Sequence, residues 1–173
     1  MPTHGPEFFD HWYRDTPGTN LTQAYPLPMA LTSDGAFEYD SQKSGTPDTY
    51  LGMDRLLFLP IDDGSPYATA FGNQNDRHNY GFTAEVHATF TLEAPGGVIQ
   101  VRSDDDLYLF LDGQLVIDLG GKHVPLNAEL DLDAQGVSVG VEHRLDLFYA
   151  DRGGANADLM LRTNFALSSR ILQ

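Results

Sequence analysis

The sequence LYLFLDGQLVIDL at residues 107–119 decides the fold of this chain. Residues 107–111 are apolar or aromatic at every position, which is typical of a central strand covered on both faces. Asp112-Gly113 is a strong turn signal, and residues 115–119 form the returning strand. The stretch therefore predicts a β-hairpin with its first strand inside an antiparallel sheet.

Further strands are predicted on both sides of this hairpin. Residues 98–102 alternate in polarity, and residues 139–149 and 159–165 complete the later strands. Residues 82–92 place six apolar side chains on one face, namely Phe82, Ala84, Val86, Ala88, Phe90 and Leu92. Strands at this spacing, separated by turns rich in glycine and proline, indicate an all-β antiparallel sandwich or barrel.

The first 80 residues are less regular. The aromatic cluster at residues 11–15 is predicted to seal one edge of the core, and residues 62–79 are predicted to form a long loop. Because no internal repeat or clear linker interrupts the chain, residues 1–173 are predicted to form a single domain.

Composition excludes several classes of function. The chain has 25 acidic and 10 basic residues and a formal net charge of -15. Nucleic acids and anionic membranes are disfavoured as partners because both require a positive surface, whereas divalent cations are favoured. The absence of cysteine rules out disulfides, thiolate metal sites and cysteine nucleophiles.

Targeting signals give two alternatives for the location of the protein. No segment approaches the roughly 18 consecutive apolar residues of a membrane span. Residues 1–5 lack the basic and apolar regions with which a signal peptide begins. The chain is therefore either cytosolic or a module cut from a longer secreted protein.

Three consecutive aspartates, Asp104-Asp105-Asp106, separate two apolar strands. Their charges repel one another, and a calcium ion, which prefers six to eight oxygen ligands, would relieve this repulsion. Adjacent side chains of a regular strand point to opposite faces, so two of them can share an ion only at a tight turn or a cis peptide. On composition alone, a solvated acidic turn without an ion is the more frequent outcome.

A second polar loop, residues 151–158, joins the last two predicted strands. Its glycines allow backbone carbonyls to turn towards a ligand, and Asn156 and Asp158 add side-chain oxygens. An ordinary glycine-rich turn is the alternative. The histidines show no spacing typical of a zinc site, and Ser103 lacks the Gly-x-Ser-x-Gly motif of a hydrolase nucleophile.

Residues 103–123 resemble the signature of the protective-antigen fourteen-kilodalton domain, and more narrowly its bacterial fibro-slime subgroup. The resemblance extends to separate stretches in the same order along the chain: Trp12 to Asp15 with Gly18 and Asn20, Gly72-Asn73, His78 to Tyr80 with Phe82-Thr83, Phe148 to Arg152, and Arg162 to Asn164. It implies a β-sandwich of the jelly-roll type that binds carbohydrates, found in secreted toxins, glycosidases and adhesins.

The resemblance also implies a calcium site. In lectin members of the family, two adjacent aspartates bind the ion, which implies that Asp104 and Asp105 are the calcium pair. Asp106 is then either a turn residue or a residue that supports the ligands without binding the ion. The side-chain ligand of the second loop falls near Gly153, which has no side chain. Asn156 is the preferred substitute, and Asp151 and Asp158 are nearby candidates.

The expected function is that of a calcium-dependent lectin domain in a bacterial surface adhesin. Neighbouring hydroxyls of a cell-surface or extracellular glycan would bind the ion held by Asp104 and Asp105, with Asn156 contributing to the sugar site. No catalysis, nucleic-acid binding or membrane insertion is expected, and the module is expected to be monomeric. The alternatives are a structural or protein-binding spacer and, third, a glycosidase that uses two carboxylates.

Overall fold

Two five-stranded antiparallel sheets pack against each other in the computed structural model, which describes residues 9–20, 22–48, 54–62, 78–153 and 156–170. The described residues form twelve strands and one short helix. They are β1 (Ala30–Leu31), β2 (Phe37–Asp40), α1 (Ser41–Ser44), β3 (Thr46–Asp48), β4 (Arg55–Leu57), β5 (Thr83–Thr91), β6 (Val98–Asp104), β7 (Asp106–Leu111), β8 (Gln114–Leu119), β9 (Leu126–Asp131), β10 (Glu142–Ala150), β11 (Asp158–Thr163) and β12 (Ser168–Ser169).

The first sheet has the strand order β1-β2-β11-β6-β9, and the second has the order β12-β5-β10-β7-β8. β3 and β4 form a separate two-stranded sheet. Ile99, Val101 and Leu161 of the first sheet and Leu109 and Leu147 of the second are buried in one hydrophobic cluster. This arrangement confirms the predicted β-sandwich.

The central hairpin agrees with its prediction. β7 lies between β8 and β10, with Leu109 opposite both Ile117 and Leu147. Asp112 and Gly113 form the turn and both have positive φ, 51° and 84°, a conformation that glycine adopts without steric cost. The predicted face of residues 82–92 is also confirmed, because Phe82, Ala88, Phe90 and Leu92 are buried.

Two features differ from the predictions. β10 begins at Glu142 rather than at residue 139, because residues 139–141 form an exposed turn. The aromatic cluster does not seal a core edge, since Tyr13 packs edge-on against Phe148 on the outer face of the second sheet. Most of the predicted loop at residues 62–79, including Gly72-Asn73, lies outside the described residues.

Three connections cross between the sheets at the same end of the sandwich, and one of them is residues 120–125, which lead from β8 of the second sheet to β9 of the first. Asp105 alone joins β6 of the first sheet to β7 of the second, and residues 151–157 return from β10 to β11. Strand pairing sets their positions, because Asp104 is the partner of Asp158 and Asp106 is the partner of Ala150. Both predicted polar loops therefore lie side by side.

Among the described residues, no helix is long and apolar enough to span a membrane.

Candidate functional site

The first loop contains three aspartates that are almost fully buried. Their exposed fractions are 5% for Asp104, 2% for Asp105 and 0% for Asp106. The peptide bond between Asp104 and Asp105 is cis, one of the two backbone geometries that the sequence suggested for a shared ion. The three carboxylates have different partners, and these partners decide which of them can serve an ion.

Asp106 forms an ion pair. Arg152 donates from Nε to Asp106 Oδ2 at 2.5 Å and from Nη2 to Oδ1 at 2.7 Å, and the amide of Gly121 donates to Oδ1 at 2.6 Å. Although burial opposes ionisation, these hydrogen bonds hold the pKa of Asp106 below its usual range. Both oxygens of Asp106 therefore have partners within the protein.

Asp105 accepts hydrogen bonds from two backbone amides. His123 donates to Oδ1 at 3.2 Å, and Arg152 donates to Oδ2 at 3.0 Å. Each carboxylate oxygen keeps a lone pair for a further partner. The two amides hold the carboxylate in place between the loop that follows β8 and the loop that follows β10.

Asp104 forms no ion pair within the described part of the chain. Burial and the neighbouring charge of Asp105 raise the pKa of its carboxyl to about 6. Its backbone carbonyl accepts a hydrogen bond of 2.5 Å from the hydroxyl of Tyr149, which fixes the end of β6. A cation bound beside Asp104 would favour the ionised form of its carboxyl group.

Asp151, at the start of the second loop, is also buried and short of partners. Its Oδ2 accepts a hydrogen bond of 2.6 Å from the Gly81 amide, whereas the buried Oδ1 has no hydrogen-bond partner among the residues that the structure describes. Burial, together with the charges of Asp105 and Asp104, raises the pKa of Asp151 to about 7. An unpaired buried carboxylate oxygen is costly, so this atom would gain from a cation.

The other two predicted ligands of the second loop have protein partners. Asn156 is exposed, and its Oδ1 accepts a hydrogen bond from Arg55 Nη1. Asp158 accepts two hydrogen bonds from Arg102, at 2.7 and 3.0 Å, and one each from Ser41 and Gln42 at 2.8 Å. The structure thus argues against Asp158 as a ligand and places Asn156 against Arg55.

Gly153 lies where the resemblance expects a side-chain ligand. The residue is buried and has a φ of 79°. Its carbonyl accepts a hydrogen bond of 3.4 Å from the ammonium of Lys122. The second loop therefore contributes a backbone oxygen at this position.

Sequence reasoning missed the loop between β8 and β9. Its Gly121 and His123 amides bind Asp106 and Asp105, and Lys122 between them reaches the second loop. The signal available was the Gly120-Gly121 pair directly after a strand, within the stretch that resembles the family signature. Sequence reasoning also missed Arg152 as the partner of Asp106.

The donors present fit a calcium ion. Asp104 and Asp105 offer carboxylate oxygens, Asp151 has an unpaired oxygen, and the loops add carbonyls, which are the hard ligands that calcium prefers. No group of three or more His, Asp or Glu side chains within the described ranges is arranged to hold a metal by itself. Any site here therefore needs backbone oxygens, water or ligand oxygens to complete it.

Comparison with known proteins places the chain among domains of one type. A family model described as the PA14 domain matches residues 38–164, well over half of the chain. Proteins psiQ, psiD and psiR of Dictyostelium discoideum are 27%, 29% and 30% identical over 95%, 93% and 94% of this chain. The chain spans 16%, 30% and 16% of these relatives' own lengths, far less than two thirds.

Solved structures give weaker similarities. A GH31 α-xylosidase from Xanthomonas citri aligns with 64% of this chain and 12% of its own, at 15% identity and a TM-score of 0.41. A PA14 sugar-binding domain from an RTX adhesin aligns with 56% of this chain and 55% of its own, at 17% identity and a TM-score of 0.37. Because both TM-scores are below 0.5, neither structure carries an argument about this chain.

Proposed function

Because the chain belongs to the PA14 domain family, we propose that it is a carbohydrate-binding module that holds calcium at Asp104 and Asp105 and binds sugar hydroxyls through that ion. One observation carries the proposal. Of the aspartates at this end of the sandwich, Asp106 and Asp158 form ion pairs with arginines, whereas Asp104 and Asp151 form no ion pair with any residue that the structure describes.

The electrostatics favour a divalent cation. Burial raises the pKa values of Asp104 and Asp151, and the nearby charge of Asp105 raises both of them further. A divalent ion reverses this effect because it favours the ionised form of each carboxylate. Extracellular modules hold calcium with dissociation constants of about 10⁻⁴–10⁻³ M. We expect the site at Asp104 and Asp105 to have a dissociation constant in this range.

The residues of the chain would bind and orient, and none need transfer a proton. When bound, the calcium ion supplies a Lewis-acidic centre for two neighbouring sugar hydroxyls. Asp105 is held by the amides of His123 and Arg152, and Tyr149 fixes the carbonyl of Asp104. Asp151 takes the place that the sequence assigned to Asn156 in the second loop.

The biological setting follows the family. We propose a surface or extracellular location, glycans as partners, and a single module of a longer protein, in keeping with relatives that are several times longer. The relatives come from Dictyostelium discoideum, which favours a source other than the bacterium that the sequence suggested. Weak affinity for a single sugar would be raised by several modules on one surface.

A structural spacer remains the second candidate function. The specific observation in its favour is that Arg55 and Arg102 already bind Asn156 and Asp158. Of the predicted calcium ligands in the second loop, only Asp151 then remains. A spacer would keep the sandwich without binding calcium or sugar.

Titration calorimetry separates the two functions. Calcium is titrated into the metal-free protein, and neutral monosaccharides are then titrated at saturating calcium. The lectin proposal expects heat in both titrations, with both signals lost in Asp105→Asn and retained in Glu129→Gln, an exposed carboxylate on β9 that pairs with Gln100. Calcium binding that survives Asp105→Asn would contradict the proposed site, and no sugar heat at millimolar concentration would favour the spacer.

A further inference from the structure

Lys122 lies in the loop between β8 and β9, and its backbone is fixed on both sides. The amide of Gly121 binds Asp106 at 2.6 Å, and the amide of His123 binds Asp105 at 3.2 Å. Because the two flanking residues are tied to the first loop, the Cα of Lys122 is held at the rim of the aspartate pair.

The side chain of Lys122 extends from the first loop to the second. Its ammonium donates a hydrogen bond of 3.4 Å to the carbonyl of Gly153. An ammonium has three N–H groups, so this contact leaves two for other acceptors. A molecule that reaches an ion held by Asp104 and Asp105 therefore meets this ammonium beside it.

The charge of Lys122 is not neutralised by any carboxylate in the described part of the chain. Arg102 and Arg152 pair with buried aspartates, and Lys43, the chain's only other lysine, pairs with Glu38. Among the residues that the structure describes, no carboxylate forms an ion pair with Lys122. If Asp104 and Asp105 balance the two charges of calcium, the ammonium remains a positive charge at the mouth of the site.

From this placement we infer that the site selects acidic sugars, with Lys122 binding the carboxylate of a hexuronic acid whose hydroxyls engage the ion. A charge-assisted hydrogen bond from an ammonium to a carboxylate is roughly twice as strong as one between neutral groups. A neutral hexose would leave the ammonium without a charged partner. The inference rests on the proposed function, because it concerns the ligand of the same site.

Matched probes test this inference. The methyl glycosides of galacturonic acid and galactose, and those of glucuronic acid and glucose, differ only at carbon 6. With calcium present, the wild-type protein is expected to bind at least one of the two uronates about tenfold more tightly than the matching neutral glycoside. A hydrogen bond between the ammonium and the carboxylate contributes enough free energy for that ratio. Lys122→Gln is expected to remove the preference, and Lys122→Arg is expected to keep most of it.

Lys43→Gln is the control, since it removes the same charge from α1 and should leave the preference unchanged. Calcium affinity and melting temperature should be the same in Lys122→Gln and the wild type. A loss of calcium affinity in that variant would make Lys122 a loop brace and overturn the inference. Equal binding of the acidic and neutral sugars by the wild type would overturn the inference alone, whereas no binding of any sugar would overturn the proposed function as well.

Discussion

Asp104 and Asp158 are partners across β6 and β11, but of these two carboxylates the guanidinium of Arg102 binds only that of Asp158. Arg102 also donates to Asp40 at 2.6 Å, so its donors are directed away from the end of the strand. Two facing carboxylates thus differ in kind. Asp158 forms an ion pair within the first sheet. Asp104, where the two sheets join, forms no ion pair with the described residues.

Asp104→Asn is expected to stabilise the protein in the absence of calcium. Burial and Asp105 raise the pKa of Asp104 from 3.8 to about 6, so its ionised form costs stability at neutral pH. The gain should be at most about 3 kcal/mol, given 1.36 kcal/mol for each unit of pKa shift. Urea unfolding at pH 7 measures it. The same variant should show no rise in melting temperature when calcium is added, and a calcium-dependent rise equal to that of the wild type would contradict the site.

The stability of the calcium-free protein should fall as pH rises. Asp104 and Asp151 have folded-state pKa values of about 6 and about 7, above their ordinary value of 3.8. The native state therefore holds protons that the unfolded state releases, and the free energy of unfolding decreases between about pH 4 and pH 7. His143, whose pKa is raised by Asp112, acts in the same direction above pH 6.5.

Calcium should reverse this trend, because it binds the ionised carboxylates. The difference in melting temperature with and without calcium should therefore widen from pH 5 to pH 7. Differential scanning calorimetry across this range provides the measurement. Magnesium serves as the comparison, since it requires shorter and more regular coordination than calcium. A difference that stays constant with pH would show that neither aspartate takes part in binding the ion.

Arg152→Ala should be strongly destabilising. It would leave the carboxylate of Asp106, which is 0% exposed, without its guanidinium. Removing one partner of a buried ion pair typically costs about 3–5 kcal/mol. The double variant with Asp106→Asn should recover part of this loss, because the unpaired charge is also removed. Urea unfolding of the four proteins of the cycle measures the coupling, and additive effects would show that the two side chains act independently.

Asp151→Asn should weaken calcium binding, whereas Asn156→Ala should leave it almost unchanged. Asp151 has a buried oxygen without a partner, but the amide oxygen of Asn156 is bound by Arg55. Removing one charged ligand is expected to lower the calcium affinity by about tenfold, since affinity follows the number of charged ligands. Calorimetric titration of the two variants measures this difference. The opposite ranking would mean that Arg55 releases Asn156 when the ion binds.

Local sequence patterns were sufficient to predict β5, β6, β7, β8, β10 and β11. Asp112-Gly113 specifies its own turn, and the alternation from residue 82 to residue 92 specifies its buried face, because both depend on neighbours in sequence. The short strands β1 to β4 carry too few residues for a period to show. β9 escaped for a different reason, since it is an edge strand with only one buried residue, Leu130.

The site was predictable only in part. Asp104 and Asp105 were singled out by their spacing and by the resemblance. Long-range contacts decide the rest: Arg55 is 101 residues from Asn156, and Arg102 is 56 residues from Asp158. No local pattern reveals that these arginines occupy the predicted ligands. The surroundings of Asp151 depend on a distant contact in the same way, because its Oδ2 accepts from the amide of Gly81, 70 residues away.

The crossing of loops between the sheets has a mechanical consequence. Residue 105, residues 120–125 and residues 151–157 are covalent links between the two layers at this end of the sandwich. A force that slides one layer over the other is transmitted through these links. A calcium ion bound between Asp105 and Asp151 would bear part of that load. A glycan bound through this ion would therefore pull on the same junction between the sheets.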